Sequence, residues 1–222
     1  MLTTIITAGG IGKRLGSEIP KQFLLLDDKA ILQYTIEAFY QFDPNSQLII
    51  TLPDQWIEYW KNYCIQHKFK IAHEIVVGGE ERFHSIREAL TLAKGTYIAV
   101  HDGVRPLIDP ETIKRTLDAA KHSQAAIPVV KVKESLRQYT LNGSQAVKRS
   151  EFVMVQTPQI FEANLLKRAY ELPFHERITD DASLVESLGI EITLVDGNEK
   201  NIKITSPEDL VLAEQFIQIK KG

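Results

Sequence analysis

Residues 3–22 read TTIITAGGIGKRLGSEIPKQ, an apolar run that leads directly into a loop rich in glycine, lysine and arginine. In α/β proteins, a glycine-rich loop after a buried strand commonly binds phosphate groups through its backbone N–H groups. Neither of the two familiar phosphate-binding motifs fits this loop. The dinucleotide motif G-x-G-x-x-G requires glycine where Leu15 stands, and the P-loop motif requires serine or threonine where Arg14 follows Lys13.

The loop nevertheless has the residues of a polyphosphate site. Small residues let the backbone approach a ligand closely, and here they are Ala8, Gly9, Gly10 and Gly12. Positive charge at the mouth of the loop comes from Lys13, Arg14 and Lys21. The alternative interpretation is a solvated basic turn that binds no ligand.

Around this loop, short apolar runs alternate with longer amphipathic segments, which predicts an α/β fold with a largely parallel sheet flanked by helices. The predicted strands are residues 3–8, 48–52, 74–77, 97–101 and 125–130, and the predicted helices are residues 31–42, 55–67, 81–94 and 110–122. After residue 155 we predict helices at 162–171 and 180–188, strands at 190–195 and 201–205, and a closing helix from Pro207. We expect residues 1–222 to form one domain.

Residues 131–155 interrupt the alternation with a polar stretch that contains Asn142-Gly143, a strong hairpin-turn dipeptide. We interpret this stretch as a β-arm that leaves the main sheet and returns to it. A two-stranded arm buries little surface by itself, so we expect it to pack on another element, such as a second subunit.

The composition excludes several classes of protein. It is 44% hydrophobic and 25% charged with a formal net charge of −3, which argues against non-specific nucleic-acid binding. Cys64 is the single cysteine, so neither an intrachain disulfide nor a tetrahedral cysteine-histidine metal set can form. The sequence shows no signal peptide and no apolar run of the ~20 residues that span a membrane, and we expect a cytoplasmic protein that binds no membrane.

The motif VHDGVRP, at residues 100–106, ends a predicted buried strand. Ligands of open parallel sheets bind beyond the carboxyl ends of the strands, so a carboxylate there is a natural magnesium ligand. Asp102 is therefore the candidate metal ligand, and Arg105 could bind an anionic substrate. The alternative is an Asp102–Arg105 pair that orders the loop.

Three later segments add candidate residues to the same edge of the sheet. Arg149 stands where the arm rejoins the sheet, and Thr157 begins a rigid turn with proline. In ITDDASLVE, Thr179 or Asp180 caps a helix, which by itself accounts for those residues. Lys203 lies in an otherwise apolar predicted strand, where it is either at an exposed edge or directed at an anion.

Five motifs, in order along residues 3–216, resemble those of the 2-C-methyl-D-erythritol 4-phosphate cytidylyltransferase family of non-mevalonate isoprenoid biosynthesis. The opening motif A-[AG]-G-x-G-x-R-[ML]-x(n)-P-K-Q is matched by residues 8–22. H-D-x-x-R-P is matched by residues 101–106, T-P-Q by 157–159, T-D-[DE]-A-S by 179–183, and N-I-K-[IV]-T-x-P-E-D-L by 201–210.

The resemblance implies a Rossmann-like nucleotidyltransferase fold and a homodimer joined by the arm. It implies magnesium-dependent transfer of a cytidylyl group from CTP to methylerythritol phosphate, with release of pyrophosphate. Arg14 and Lys21 take the family's places for stabilising the transition state. Arg149 and Lys203 take the places that hold the substrate phosphate.

The remaining family roles also map onto this sequence. The implied CTP-binding residues are Ala8, Gly9, Gly10, Gly12, Gly79, Arg82, Ser85 and Asp102, of which Asp102 also takes the metal place. The implied erythritol-binding residues are Arg105, Ser135, Thr157 and Thr179. The departures from the family pattern that touch the site are conservative, such as Gly9 for alanine and Ser135 for threonine.

Three other functions remain to be separated from this one. A ribitol-5-phosphate cytidylyltransferase would share the first loop, H-D-x-x-R-P and T-P-Q, while the last two motifs favour the erythritol enzyme. A nicotinamide dehydrogenase would need the glycine spacing that is missing here. A non-catalytic nucleotide sensor would tolerate loss of Arg14 or Lys21, and the complete basic set argues against it.

Overall fold

The structure is a computed structural model that describes residues 1–10 and 19–221. Residues 11–18 and 222 lie outside the described part. The expected site residues Gly12 and Arg14, together with Lys13, therefore lie outside the described residues.

The strands and helices follow the alternation that the sequence predicts. The strands are β1 (Leu2–Thr7), β2 (Leu25–Leu26), β3 (Lys29–Ala30), β4 (Gln47–Leu52), β5 (Glu74–Val77), β6 (Tyr97–Asp102), β7 (Ala125–Lys131), β8 (Leu136–Thr140), β9 (Gly143–Val147), β10 (Val153–Val155), β11 (Gln159–Glu162) and β12 (Thr193–Asp196). The helices are α1 (Ile31–Phe42), α2 (Asp54–Gln66), α3 (Arg82–Leu92), α4 (Pro110–Ser123), α5 (Ala163–Ala169), α6 (Asp181–Glu186) and α7 (Pro207–Lys221).

The main sheet is mostly parallel, and in the described residues its strands follow the order β10-β7-β11-β6-β1-β4-β5, with β12 also paired to β7. Strands β1, β4, β5 and β6 are parallel to their neighbours in this set. Strands β10 and β11 run antiparallel to β7, and β11 also pairs antiparallel with β6. The carboxyl ends of β1, β4 and β6 consequently meet at one edge of the sheet.

Both faces of this sheet are buried, which explains the continuous apolar runs. Ile5 and Ile49 pack with α3, α5 and α6 on one face, while the adjacent Ile6 and Ile50 pack with α1 and α2 on the other. Trp60 of α2 is fully buried in the second cluster.

The short strands β2 and β3 are not among the predicted strands, and two further differences lie closer to the site. Strand β11 is not predicted because it has only four residues and follows Pro158, so no periodicity reveals it. Residues 201–205 form a loop instead of the predicted strand. This loop is held by single contacts, such as the 2.9 Å hydrogen bond from Ile204 N to Val104 O, instead of a strand ladder.

The hairpin of β8 and β9 occupies the middle of the predicted arm. Gly143, which begins β9 directly after the turn, has a φ of +134°, a conformation that favours glycine. In the described residues, this hairpin pairs with itself and not with the main sheet, and Tyr139 and Leu141 near its turn are almost fully solvent-exposed. Strand β10 then returns the chain to β7.

Across the described residues, none of the helices combines the length and apolar character required to cross a membrane.

Candidate active site

A cavity of about 340 Å³ lies beyond the carboxyl ends of β1 and β6. The two strand ends are tied together by the 2.8 Å hydrogen bond from Gly103 N to Thr7 O. The cavity is lined by many of the predicted site residues: Ala8, Gly9, Gly10, Lys21, Gly79, Arg82, Ser85, Asp102 and Lys203. We call it the first cavity.

A second cavity of about 320 Å³ adjoins the first and shares Arg82, Asp102 and Lys203 with it. Its lining adds three further predicted residues: Arg105, Thr157 and Thr179. The structure thus brings residues from the five motifs to one edge of the sheet. Ser135 and Arg149 are exposed on the arm. Neither side chain is among the described residues that line the two cavities.

Asp102, at the end of β6, is the electrostatic centre of the two cavities. Its Oδ2 accepts a hydrogen bond from Arg105 Nε at 3.1 Å and lies 3.1 Å from Lys203 Nζ. Its Oδ1 lies 4.0 Å from Arg82 Nε, beyond hydrogen-bond distance. Burial alone raises the pKa of Asp102, but the charges of Lys203, Arg82 and Arg105 lower it well below its usual value. The side chain is therefore a carboxylate at any physiological pH.

Arg82, at the start of α3, is held from behind by a residue that sequence reasoning missed. Its Nη1 and Nη2 donate to the two oxygens of Asp181 at 3.1 and 2.6 Å, and Tyr170 donates to the same carboxylate at 2.5 Å. Asp181 is fully buried. Burial lowers the pKa of Arg82, but Asp181 and Asp102 raise it above its ordinary value. The available signal was the doubled aspartate of TDDAS, since one aspartate is enough to cap the helix.

Helix α6, which carries Asp181, is fixed at its first turn. Asp180 is the N-cap, and its Oδ1 accepts from Ser183 N at 2.9 Å in a capping box. Gln159, from the T-P-Q motif, donates to Asp180 Oδ2 at 2.8 Å and accepts from Ala182 N at 2.9 Å. This arrangement confirms a cap at this point and places Thr179 at the edge of the second cavity.

The loop between β5 and α3 brings backbone close to the first cavity. Gly79 N donates to Ser85 Oγ at 3.1 Å, and a Cβ on Gly79 would lie 2.4 Å from the Cβ of His84. A side chain at position 79 therefore has no room. Ser85 Oγ in turn donates to Glu81 O at 3.2 Å, which orients the hydroxyl toward the loop.

Thr157 is turned toward β6. Its Oγ1 accepts from Asp102 N at 3.1 Å and lies 3.0 Å from His101 Nδ1. His101 is fully buried, and burial lowers its pKa to about 4, so the imidazole is neutral at physiological pH.

The donor set at Asp102 fits a magnesium ion that is shared with a polyphosphate. The described residues contain no group of three histidine, cysteine, aspartate or glutamate side chains that could hold a metal alone. Magnesium is commonly held by one or two carboxylates together with substrate phosphates. Asp102 remains ionised and keeps Oδ1 outside hydrogen-bond distance of Arg82, so it can supply one such ligand.

Charges of both signs line the first cavity. The described lining residues include three cations, Lys21, Arg82 and Lys203, and three acids, Glu80, Glu81 and Asp102. The described lining by itself therefore does not neutralise a polyphosphate. In the sequence, two further cations, Lys13 and Arg14, stand three and four residues after Gly10, which lines the cavity.

Comparison with known proteins identifies the family. The family model for 2-C-methyl-D-erythritol 4-phosphate cytidylyltransferase matches residues 2–219. The chain belongs to this cytidylyltransferase family. Relatives of that name from Bacteroides fragilis and Phocaeicola vulgatus are 47% and 48% identical over 97% and 96% of this chain, which is 99% and 98% of their own lengths.

Solved structures of the cytidylyltransferase family have the same fold. The crystal structure of the Thermus thermophilus enzyme superposes with a TM-score of 0.80 at 31% identity, covering 97% of this chain and 98% of that one. The synthase from Anaerococcus prevotii superposes with a TM-score of 0.85 at 25% identity, covering 98% of both chains. The predicted family and the mostly parallel α/β fold are confirmed.

We expect Asp181→Asn to destabilise the protein by about 3 kcal/mol, because it leaves the Arg82 guanidinium without its buried counter-charge. The measurement is the free energy of unfolding in urea. Asp118→Asn is the control, since Asp118 forms exposed ion pairs with Lys114 and Lys121 and its loss should have little effect. A loss for Asp181→Asn no larger than for the control would show that the Arg82–Asp181 pair does not stabilise the fold.

Proposed function

We propose that this protein transfers the cytidylyl group of CTP to 2-C-methyl-D-erythritol 4-phosphate and releases pyrophosphate, as a step of non-mevalonate isoprenoid biosynthesis. Membership of the cytidylyltransferase family supports the choice of reactants. The observation that carries the proposal is the pair of adjoining cavities that share Arg82, Asp102 and Lys203. Two adjoining sites with cations at their junction suit a reaction between two phosphorylated molecules.

In this proposal CTP occupies the first cavity. The backbone of Ala8, Gly9 and Gly10 approaches the triphosphate, as the glycine-rich sequence allows. Gly79 and Ser85, across the cavity, face the cytosine ring, and Arg82 lies beside them with its guanidinium fixed by Asp181. A guanidinium held in this way needs no reorganisation when an anion binds.

Methylerythritol phosphate occupies the second cavity, next to Arg105 and Thr179. Lys203 lines both cavities and lies beside Asp102, where it can bind the attacking phosphate. One oxygen of that phosphate attacks the α-phosphorus of CTP in line with the departing pyrophosphate. The chemistry is mainly positioning and charge stabilisation, so no covalent enzyme intermediate is needed.

We propose that Asp102, together with oxygens of the triphosphate, holds a magnesium ion. The ion supplies positive charge that offsets the anions brought together in the reaction. The described residues that line the first cavity include as many acids as cations. They would not offset the charge of a triphosphate that entered without a metal ion, which supports the proposed magnesium ion. Lys21, which lines the first cavity, and Arg14 would stabilise the charge that develops on the transferred phosphoryl group and on pyrophosphate.

We further propose that the β-arm joins two copies of the chain and that it completes the second cavity of the partner copy. Arg149 and Ser135 are exposed on the arm, and in the described residues neither lines a cavity of its own chain, although Val155 at the end of the arm lines the second one. Phe152, Val153 and Met154, at the base of the arm, are between 43% and 49% exposed, which leaves an apolar surface for a partner. The proposed site of action is the cytoplasm.

The function is tested by measuring pyrophosphate release with CTP and Mg²⁺, comparing methylerythritol phosphate with ribitol 5-phosphate. We expect rapid release with methylerythritol phosphate alone. Preference for ribitol 5-phosphate would retain the chemistry and overturn the pathway. CTP binding without pyrophosphate release in either case would indicate a nucleotide sensor.

Replacing Lys21 by alanine should lower kcat by about 10²-fold or more, the scale of losing one preorganised electrostatic contact to the transition state. Steady-state kinetics at saturating CTP measures this change. The control is Lys114→Ala on the exposed surface of α4, where Lys114 contacts Asp118 and kcat should stay as in the wild type. A Lys21→Ala variant that keeps most of the wild-type kcat would refute the role of Lys21.

Mixing two inactive variants tests the shared site. If Arg149 acts in the partner's cavity, a mixed dimer of Arg149→Ala and Lys203→Ala chains contains one site with both residues intact. Random reassociation of equal amounts should then restore about a quarter of the wild-type activity, because half the dimers are mixed and each has one intact site. No recovery after unfolding and joint refolding would mean that Arg149 does not act in the partner's cavity.

A further inference from the structure

We propose that His101 is a positioning residue that holds Asp102 and Arg105 in place through two hydrogen bonds, with Thr157 as its intermediary. The inference rests on the proposed function, because it explains how the junction of the two cavities is kept in a reactive arrangement. Sequence reasoning used His101 as part of a motif and gave it no role.

The hydrogen bonds of His101 determine which ring nitrogen carries the proton. Nε2 lies 3.1 Å from the carbonyl oxygen of Arg105, which can accept and cannot donate. The ring is fully buried and has only a carbonyl and a hydroxyl at its two nitrogens, which suits the uncharged form, in which Nε2 carries the hydrogen and Nδ1 is an acceptor. Since Nδ1 lies 3.0 Å from Thr157 Oγ1, the threonine hydroxyl donates to it.

This arrangement commits the hydroxyl of Thr157. Its proton points to His101, while its oxygen accepts the backbone N–H of Asp102 at 3.1 Å. The proton is not available to a bound sugar. Thr157, which the family resemblance places near the erythritol, thus acts on the backbone of Asp102, and its effect on the substrate is indirect.

The other hydrogen bond of His101, from Nε2 to the carbonyl oxygen of Arg105, holds the loop in which the Arg105 side chain folds back to contact Asp102. Arg105 donates from Nε to Asp102 Oδ2 at 3.1 Å and from Nη1 to Asn201 O at 2.8 Å. Asn201 Nδ2 donates to Thr157 O at 2.8 Å. These contacts close a ring of four residues, Asp102, Thr157, Asn201 and Arg105.

His101 crosses this ring from Thr157 to Arg105. It is fully buried, with the ring of Phe39 packed at 4.9 Å between centroids. The imidazole therefore cannot turn without breaking both hydrogen bonds. Because Asp102 is shared by the two cavities, a small displacement of its carboxylate would misalign both reactants, and such errors reduce the rate more than the binding of either reactant.

The first test is the tautomer, which can be observed without any activity. Nitrogen NMR of the whole protein labelled with ¹⁵N-histidine distinguishes protonated from unprotonated ring nitrogens. We expect a neutral His101 with the proton on Nε2. A proton on Nδ1 would overturn the proposal, because Thr157 would then not be the donor.

The second test compares kinetic effects of three replacements. His101→Gln keeps a donor near the position of Nε2, His101→Asn keeps an acceptor near Nδ1, and His101→Phe removes both. We expect His101→Phe to lower kcat by about tenfold to a hundredfold with little change in KM for CTP, and the two amide variants to lose less. Equal losses for all three, or a loss confined to KM, would overturn the role.

Thr157→Val tests the same hydrogen-bond network from its other end, with His101 unchanged. It should lower kcat as His101→Phe does, and the double variant should be no worse than the worse single variant, because both act through Asp102. Multiplying effects would mean that Thr157 acts on the substrate independently. Thr116→Val, which removes a fully buried hydroxyl bonded to Thr112 O in α4, is the control and should leave kcat unchanged.

The two proposals can fail separately. Wild-type protein without pyrophosphate release would refute the proposed function, whereas the tautomer of His101 tests the hydrogen-bond geometry without any activity.

Discussion

The carboxylate of Asp102 and the cations around it are the constraint on which the site depends. A buried carboxylate is stable in its charged form when it is paired and hydrogen-bonded, and Asp102 has Arg105 and Lys203 at 3.1 Å and Arg82 at 4.0 Å. These side chains come from three distant parts of the chain. The single carboxylate therefore brings the start of α3, the loop after β6 and the loop before α7 around one point.

The parallel sheet makes this gathering possible. Strands β1 and β6 are neighbours in register, with Thr7 opposite Asp102, so their carboxyl ends open onto the same space. The strand β11, antiparallel between β6 and β7, brings the turn at Thr157 beside the end of β6. Helix α6 contacts α3 beside the site, because Asp181 of α6 forms an ion pair with Arg82 of α3.

The charge distribution suits two anionic reactants that must be held close together. Arg82 is paired with Asp181 behind the cavity, and Asp102 is shared among three cations, so each charged group is fixed before a ligand arrives. The arm adds a different feature. Its base is exposed and apolar, and in the described residues the Arg149 and Ser135 side chains do not line the cavities of their own chain, which is consistent with a site completed by a second subunit.

Local patterns in the sequence determined the parallel α/β fold, the glycines after β1 and the position of Asp102 and Arg105 at the end of β6, because residue type and spacing act over a few positions. They could not determine contacts between residues far apart in sequence. The Arg82–Asp181 pair joins positions 99 apart, and the Thr157–Asn201 bond joins positions 44 apart.

Residues 201–205 have the composition of a strand, yet the tertiary structure makes them a loop because side chains and single backbone contacts hold them against Val104 and Thr157. Packing also decided that the Thr157 hydroxyl faces His101, since both of its partners lie on a strand that the sequence places more than 50 residues earlier.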